Sequence, residues 1–168
     1  MAFDRARTAR GALAGAVAAG VWALQEPLDD RVFKTGYSDV ALLGGFVTDG
    51  PARDAVGLGL HLANGALFGG LYASVARALP GPAAARGPAA AMVEHLSSWP
   101  LTVFSSRVPT TGRGFLQATW RHLLFGVVLG ELERRLNDDA ADGDDEYHRM
   151  VSSNGHGNID HAIIGAQG

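Results

Sequence analysis

Residues 56–76 read VGLGLHLANGALFGGLYASVA, a run of 21 residues without Asp, Glu, Lys or Arg. A predominantly apolar stretch of about 20 residues has the length that crosses a bilayer as a helix. Glycine is unfavourable in soluble helices but frequent in membrane helices, where it lets backbones approach closely. We therefore predict a transmembrane helix here, and this segment decides the fold class expected for the whole chain.

Three further segments extend the same pattern on either side of this run. They cover residues 11–25, 87–106 and 114–130, and each is flanked by arginines or mixed charges. The expected fold is all-α and polytopic, with about four transmembrane helices in residues 1–136 and an acidic, disordered tail in residues 137–168. Because a central charge costs about 2.5–3.5 kcal/mol on the insertion scale, and Glu94 and Arg121 lie inside two segments, a soluble helical bundle is the rival fold.

The ends and connections of these segments leave some alternatives open. The first segment follows a basic stretch and could instead be a cleaved secretory signal. The polar connection 26–55 contains a mildly apolar stretch, 37–47, which is too short to span a membrane. It either lies at the interface as a short helix, folds back into the bundle, or is an exposed loop. The dipeptide Trp99-Pro100 should kink or end the third helix, since proline breaks the helical hydrogen-bond pattern.

The distribution of arginine predicts the orientation. A cytoplasmic N-terminus collects more basic residues on the inner side, including Arg5, Arg7, Arg10, Arg77, Arg86, Arg134, Arg135 and Arg149. Cytoplasmic loops of membrane proteins carry an excess of such residues. The expected location is the bacterial plasma membrane, with both termini cytoplasmic.

A possible duplication relates the second and fourth segments. Leu67-Phe68-Gly69, Arg77 and Leu79 recur 57 residues later as Leu124-Phe125-Gly126, Arg134 and Leu136. The spacing is compatible with two parallel two-helix repeats; coincidence among common membrane residues is the preferred interpretation.

Glycine pairs four residues apart indicate the packing faces. They are Gly11/Gly15, Gly65/Gly69 and Gly126/Gly130, with Ala16/Gly20 as a small-residue equivalent. Such pairs allow helices to touch backbone to backbone, within one chain or between copies. The expected partners are therefore the lipid bilayer and either a second copy or a partner membrane protein.

Glu94 and Arg121 are the most informative polar residues. Counting from the helix ends places both at mid-depth of neighbouring helices, where an isolated charge is costly and pairing is economical. We expect the two to pair. The pair would stabilise the bundle, or it would help to move protons or a polar substrate.

Three histidines, His61, His95 and His122, lie on three different predicted helices, with Asn64 near the first of them. Three imidazoles could ligate a metal, and two could ligate haem. No HxxxH or haem-attachment motif supports this, so hydrogen-bonded histidines between helices are the preferred interpretation. The candidate polar cluster is thus Glu94, Arg121, His95, His122, His61 and Asn64, with no assigned catalytic residue, metal or cofactor.

Composition excludes several other functions. The chain has no cysteine, so a disulfide, thiolate metal site or cysteine nucleophile is impossible. Its net charge of -3, without a basic stripe, argues against nucleic acid as a partner. Phosphate-binding glycine loops and nucleophile elbows are also missing from the sequence.

Residues 25–33 (QEPLDDRVF), 37–40 (YSDV), 42–44 (LLG) and 120–126 (WRHLLFG) carry a resemblance. They look like a family of small, uncharacterised bacterial inner-membrane proteins with four helices. The resemblance implies the fold over about residues 11–137 and brings no catalytic residues. The expected function is a non-enzymatic membrane protein that assembles with itself or a partner, or passes a small solute. The alternative is a membrane-embedded metal- or haem-binding redox protein that uses the histidines.

Overall fold

The computed structural model describes residues 4–104 and 108–154, with side chains over residues 4–101 and 108–138. It is all-helical in this part of the chain. The α-helices are α1 (Arg5–Phe33), α2 (Asp39–Gly44), α3 (Arg53–Val75), α4 (Ala83–Ser98) and α5 (Gly112–Asn154), with 3-10 turns at Ala76–Ala78 and Trp99–Phe104. The chain divides into two compact units, Met1–Arg134 and Arg135–Gly168.

The prediction of about four transmembrane helices is wrong. Across the residues that the structure describes, none of the helices combines the length and the apolar content needed to cross a membrane. In α3 the apolar residues are diluted by glycine, His61 and Asn64, and in α4 and α5 by Glu94 and Arg121. The prediction gave too much weight to the absence of charge in residues 56–76 and too little to these polar residues.

Helix α1 is longer than predicted and contains the acidic residues assigned to a loop. It passes through Pro27 and ends at Phe33, where Lys34 adopts a left-handed conformation (φ 53°) and donates its backbone N–H to Asp30. A proline inside a helix normally costs about 3 kcal/mol or more, which favours a boundary near this point in the sequence. The helix continues because Glu26 and Asp29, both buried, make side-chain contacts with other segments.

The short stretch after α1 folds back onto the bundle, which is one of the interpretations expected from the sequence. Ser38 caps α2 by accepting a hydrogen bond from the backbone N–H of Ala41. Helix α2 lies so close to α3 that a Cβ atom on Gly57 would be 1.9 Å from the carbonyl oxygen of Val40. This contact brings the region around Asp39 against the helices that form the core.

The later boundaries agree with the sequence in part. Helix α4 ends at Ser98, directly before Trp99-Pro100, as the proline predicts. Helix α5 continues to Asn154, so residues 137–154 are helical where a disordered tail was expected. The rest of the predicted tail, residues 155–168, lies outside the described part of the chain.

Two pairs of helices pack in the same register through glycine. In the first, a Cβ on Gly11 would lie 2.6 Å from the carbonyl oxygen of Gly69. In the second, a Cβ on Gly87 would lie 2.3 Å from the carbonyl oxygen of Gly126, which is 57 residues after Gly69. The glycine pairs therefore form contacts within the chain, α1 with α3 and α4 with α5.

Polar groups occupy much of the interior of the first unit. Arg7, counted above as an inner-side charge, forms an ion pair with Glu133 and donates a 2.8 Å hydrogen bond to the carbonyl of Ala73. This joins α1, α3 and α5 at one end. On the outside, α1 exposes a stripe of large apolar side chains, comprising Leu13, Val17, Leu24, Leu28 and Val32.

Candidate functional site

Arg121 on α5 is the centre of a closed network that we call the arginine cluster: Arg121, Asp29, Asp39, Glu26 and Gln117. The guanidinium is fully buried and binds Asp29 of α1 with two bonds, Nε to Oδ2 at 2.6 Å and Nη2 to Oδ1 at 2.7 Å. Nη1 donates to Asp39 Oδ2 at 2.7 Å, and Nη2 also donates to the carbonyl of Tyr37 at 3.1 Å. A planar, bidentate arginine–carboxylate pair fixes both partners in position.

The carboxylates of the cluster are themselves held by further donors. Asp39 accepts from the indole of Trp22 at 3.1 Å and from the hydroxyl of Tyr37 at 2.7 Å. Asp29 accepts from the side-chain amides of Gln117 at 2.8 Å and Gln25 at 2.7 Å. Every ligand of the guanidinium is thereby oriented, and the network is structural in character.

Glu26 completes the cluster and differs from the other acids. One oxygen lies 3.6 Å from Arg121 Nη1, and the carboxylate accepts bonds from the Ser38 hydroxyl and the backbone N–H of Asp39. Burial raises the pKa of Glu26 despite these donors. For Asp29, burial opposes ionisation, but hydrogen bonds from Arg121 and Gln117 outweigh it and lower the pKa.

The expected pair between Glu94 and Arg121 is wrong. Arg121 pairs with acids of α1 and of the stretch before α3, whereas Glu94 of α4 lies 2.8 Å from His122 Nε2 on α5. The other ring nitrogen, Nδ1, is 2.7 Å from the carbonyl of Ala118. Both ring nitrogens of His122 therefore lie within hydrogen-bond distance of an oxygen.

His95 of α4 lies beside His122, with ring centroids 4.6 Å apart. Its Nε2 is 3.0 Å from the hydroxyl of Thr119, and that hydroxyl donates to the carbonyl of Phe115. The hydroxyl hydrogen is therefore committed, so His95 donates from Nε2. Burial and the neighbouring His122 lower the pKa of His95, which favours a neutral ring.

His61 of α3 is the least satisfied of the three histidines. The carbonyl of Ala19 accepts a hydrogen bond from its ring, while Nε2 is buried and without a hydrogen-bond partner among the described residues. Burial lowers the pKa of His61, so Nε2 carries a lone pair and no proton at neutral pH. A buried acceptor without a hydrogen-bond donor lowers the free energy of unfolding by about 1–3 kcal/mol. Such an atom is unusual in a folded protein.

The three histidines, Glu94 and Asn64 line one cavity of about 370 Å³, which we call the histidine cleft. Its aromatic walls include Trp22, Phe68, Trp99 and Phe125. Trp22 stands between two of the histidines, with ring centroids 5.3 Å from His61 and 4.8 Å from His122. Asn64 is exposed and the Glu94 side chain is 43% exposed, so the cleft opens to the surface where these two residues lie.

Five of the six sequence candidates therefore line one cavity. Arg121 does not line it, although it is bonded to Asp39, which does. The histidines do not assemble as ligands: in the described residues there is no group of three His, Asp or Glu side chains arranged to hold a metal ion. They are hydrogen-bonded or in edge-to-face contact with aromatic rings instead. The hydrogen bond from His122 to Glu94 lowers the pKa of that carboxyl.

Sequence reasoning missed Glu26, Asp29 and Asp39, which hold Arg121. A signal was present, because Gln25, Glu26 and Asp29 fall within one helical turn of each other and Gln117 precedes Arg121 by four residues. It was overlooked because residues 26–55 were interpreted as a polar connection, which placed Glu26 and Asp29 outside the first helix.

Comparisons with protein-family models, with curated proteins and with solved structures find no match to this chain. The chemistry of the cleft is accordingly derived from its own residues.

Proposed function

We propose that this protein binds a small organic molecule in the histidine cleft and performs no chemistry on it. The observation that supports this is the cavity of about 370 Å³, bordered by the histidines, Glu94 and several aromatic rings. Small-molecule sites are typically cavities of about 300–1,000 Å³ with mostly apolar walls and a few convergent polar groups. The cleft has this size and this composition.

A binding role is favoured over catalysis by the way its polar groups are used. A general base needs a free basic nitrogen or carboxylate oxygen in reach of the substrate. Both nitrogens of His122 already face acceptors, and Nε2 of His95 is committed to Thr119. Nε2 of His61 is unpartnered, but it is buried beneath the cavity surface and out of reach of a ligand. The remaining groups can recognise a ligand by hydrogen bonding without transferring a proton.

Calorimetric titration with 2-phenylethanol and 2-phenylethylamine tests the proposal. Both probes carry one aromatic ring and one polar end, which match the walls and the polar groups of the cleft. We expect saturable binding of at least one probe with Kd below about 1 mM, which corresponds to about 4.1 kcal/mol of binding free energy. For roughly nine heavy atoms this is about 0.5 kcal/mol per atom, within the range of about 0.3–1.5 kcal/mol per atom found for small ligands. Quenching of Trp22, which is buried and lines the cleft, should follow the same titration.

Two matched variants on α4 locate the binding. Ala91 is 1% exposed and lines the cleft, so Ala91→Leu should fill it and reduce affinity at least about 10-fold, provided the melting temperature is retained. Ala89 is exposed on the same helix, and Ala89→Leu should bind as the wild type does. Equal affinities in the two variants, or no binding of either probe by the wild type, would refute the proposal.

Self-association is a second candidate function, supported by the apolar stripe of α1. Leu24, Leu28 and Val32 are 81%, 60% and 74% exposed and recur every four residues, so they share one helix face. Extended exposed apolar surfaces mark sites of interaction. The chain would use this face to pair with a second copy.

Sedimentation equilibrium tests this candidate directly. The wild type should be dimeric at micromolar concentration, and Leu24→Gln with Leu28→Gln should be monomeric. Leu96→Gln on α4 removes a side chain that is also exposed, at 55%, and should remain dimeric. A monomeric wild type would exclude the candidate.

A further inference from the structure

We propose that Tyr37 is a wall of the histidine cleft that limits the length of the ligand, so that the cleft selects compact molecules and excludes long-chain ones. This inference rests on the proposed function and specifies the class of its ligand. Three features of the structure support it: a second cavity lies beside the cleft, one layer of chain separates the two cavities, and the Tyr37 side chain is held in that layer.

The second cavity, which we call the α1–α3 groove, has a volume of about 800 Å³. It lies between α1, α3 and the stretch after α1, residues 34–47, which we call the fold-back segment. Most of its wall is apolar, and the larger contributors are Ala23, Leu24, Pro27, Val40, Leu58 and Leu62. Burial of each methylene group is favourable, so these walls suit an alkyl chain.

The fold-back segment separates the groove from the cleft as a single layer of chain. Its residues divide between the two cavities: Asp39, Leu42 and Leu43 line the cleft, and Ser38, Val40 and Ala41 line the groove. Tyr37 lines both cavities, and in the described part of the chain it is the one residue that does so. It also has the largest side chain among residues 37–43. The cleft and the groove therefore adjoin at Tyr37.

The Tyr37 side chain is held at both its hydroxyl and its ring. The hydroxyl donates a 2.7 Å hydrogen bond to Asp39, and the guanidinium carbon of Arg121 lies 5.5 Å from the ring centroid. A guanidinium within about 6 Å of an aromatic ring attracts it. Asp39 is itself bound by Arg121 and Trp22. The arginine cluster thus positions the wall of the cleft.

A wall held in this way gives the cleft a definite length. Its volume of about 370 Å³ is near the lower end of the range of about 300–1,000 Å³ for small-molecule sites. A long alkyl chain would have to displace Tyr37 from Asp39 and Arg121, or leave part of the chain in water. The cleft should therefore take a single ring or a short chain and exclude long-chain amphiphiles.

A series of linear alcohols from 1-butanol to 1-nonanol measures the limit. Displacement of the phenylethyl probe that the wild type binds gives each Kd, so the values report on the cleft and not on apolar patches of the surface. Each methylene that the cleft buries should tighten binding roughly 4-fold. We expect the affinity to rise with chain length and then to level off or fall within the series. A steady rise to 1-nonanol would overturn the inference.

Tyr37→Ala should remove the limit, and Tyr37→Phe is its matched control. In Tyr37→Ala the chain can enter the groove, so 1-nonanol should bind about 10-fold or more tightly than it binds the wild type, the gain from about two further buried methylenes. Tyr37→Phe keeps the ring and loses only the hydrogen bond to Asp39, so its affinities should level off at the wild-type length. Melting curves establish that the variants are folded, and Tyr37→Leu, a milder truncation, replaces Tyr37→Ala if the latter is not. A folded truncation with the wild-type limit would contradict the role of Tyr37.

Ala23→Trp tests where the additional chain lies. Ala23 borders the groove but not the cleft, so Ala23→Trp alone should leave the wild-type series unchanged. Combined with Tyr37→Ala it should restore the wild-type limit, because the indole fills the groove; a limit that stays absent would show that the chain does not enter the groove and would refute the inference. If the phenylethyl probes bind but the limit fails these tests, small-molecule binding remains and the role of Tyr37 falls. If neither probe binds, the proposed function and this inference fall together.

Discussion

The arginine cluster and the histidine cleft contain adjacent residues of α5, Arg121 and His122, but they differ in how far their polar groups are hydrogen-bonded. Successive residues of a helix point about 100° apart, so the two side chains enter different spaces. The guanidinium of Arg121 is fully buried, forms a bidentate pair with Asp29 and donates one further hydrogen bond to Asp39. The cleft keeps an unpartnered nitrogen on His61 and a half-exposed carboxylate on Glu94.

Under the proposed function, this difference separates a structural use of buried charge from a use in ligand binding. A network whose members are all satisfied gains rigidity and has no remaining capacity for a ligand. A cavity with unsatisfied groups is less stable on its own but can bind. Substitutions in the arginine cluster should therefore lower stability more than substitutions in the histidine cleft.

The largest effect is expected when the arginine cluster loses its cation. Arg121→Leu leaves the buried Asp29 and the half-buried Asp39 without their partner, and breaking a buried pair in this way typically costs about 3–5 kcal/mol. Urea denaturation followed by circular dichroism measures the loss. Arg134→Leu is the control: its pair with Glu131 is exposed, and such pairs contribute about 1 kcal/mol or less.

A smaller effect is expected from the ion pair in the cleft. Since the Glu94 side chain is 43% exposed, solvent screens its attraction to His122, and Glu94→Gln should lower the free energy of unfolding by no more than about 1 kcal/mol. The same denaturation experiment checks this value. A loss as large as that of Arg121→Leu would mean that the two regions are equally structural.

The smallest effect concerns the pH dependence contributed by His61. Burial depresses its pKa below the ordinary value of 6.5 in the folded state, so the unfolded chain binds protons more readily. Its contribution to stability is therefore complete above about pH 6.5 and is lost as the pH falls through the depressed pKa. His95 changes in the same direction, whereas Glu26, with a raised pKa, changes in the opposite one.

The difference between the wild type and His61→Leu isolates this contribution. Melting temperatures between pH 8 and pH 5 should fall less steeply in the variant, since one group that destabilises the folded state on protonation is gone. Parallel curves for the two proteins would show that His61 is not buried in neutral form.

The sequence was sufficient for features that depend on local pattern. The glycines of residues 56–76 and the Trp99-Pro100 stop predicted a helix packed by close backbone contact and a helix end, and both are present. Five of the six polar candidates also meet, because His61, Asn64, Glu94, His95 and His122 interrupt otherwise apolar helix faces.

The rest required tertiary information. Arg121 finds Asp29 across 92 positions of sequence, and helical counting compares depth but not rotation. The expected depth along the helices favoured Glu94 as the partner of Arg121, whereas the rotation of α5 about its axis directs Arg121 toward α1. The apolar content of the predicted segments was also overestimated. In the described part of the chain, uncharged runs that are rich in glycine and interrupted by histidine do not form helices long and apolar enough to cross a membrane.

Two double-mutant cycles that share Arg121→Leu test the central claim most directly. One combines it with Asp29→Leu and the other with Glu94→Leu, with unfolding free energies measured for each single and double variant. Residues in one network typically show coupling of about 0.5–3 kcal/mol, and residues that do not interact show additivity within about 0.5 kcal/mol. We expect strong coupling of Arg121 to Asp29 and additivity with Glu94. Strong coupling to Glu94, with additivity at Asp29, would contradict the separation of the arginine cluster from the histidine cleft.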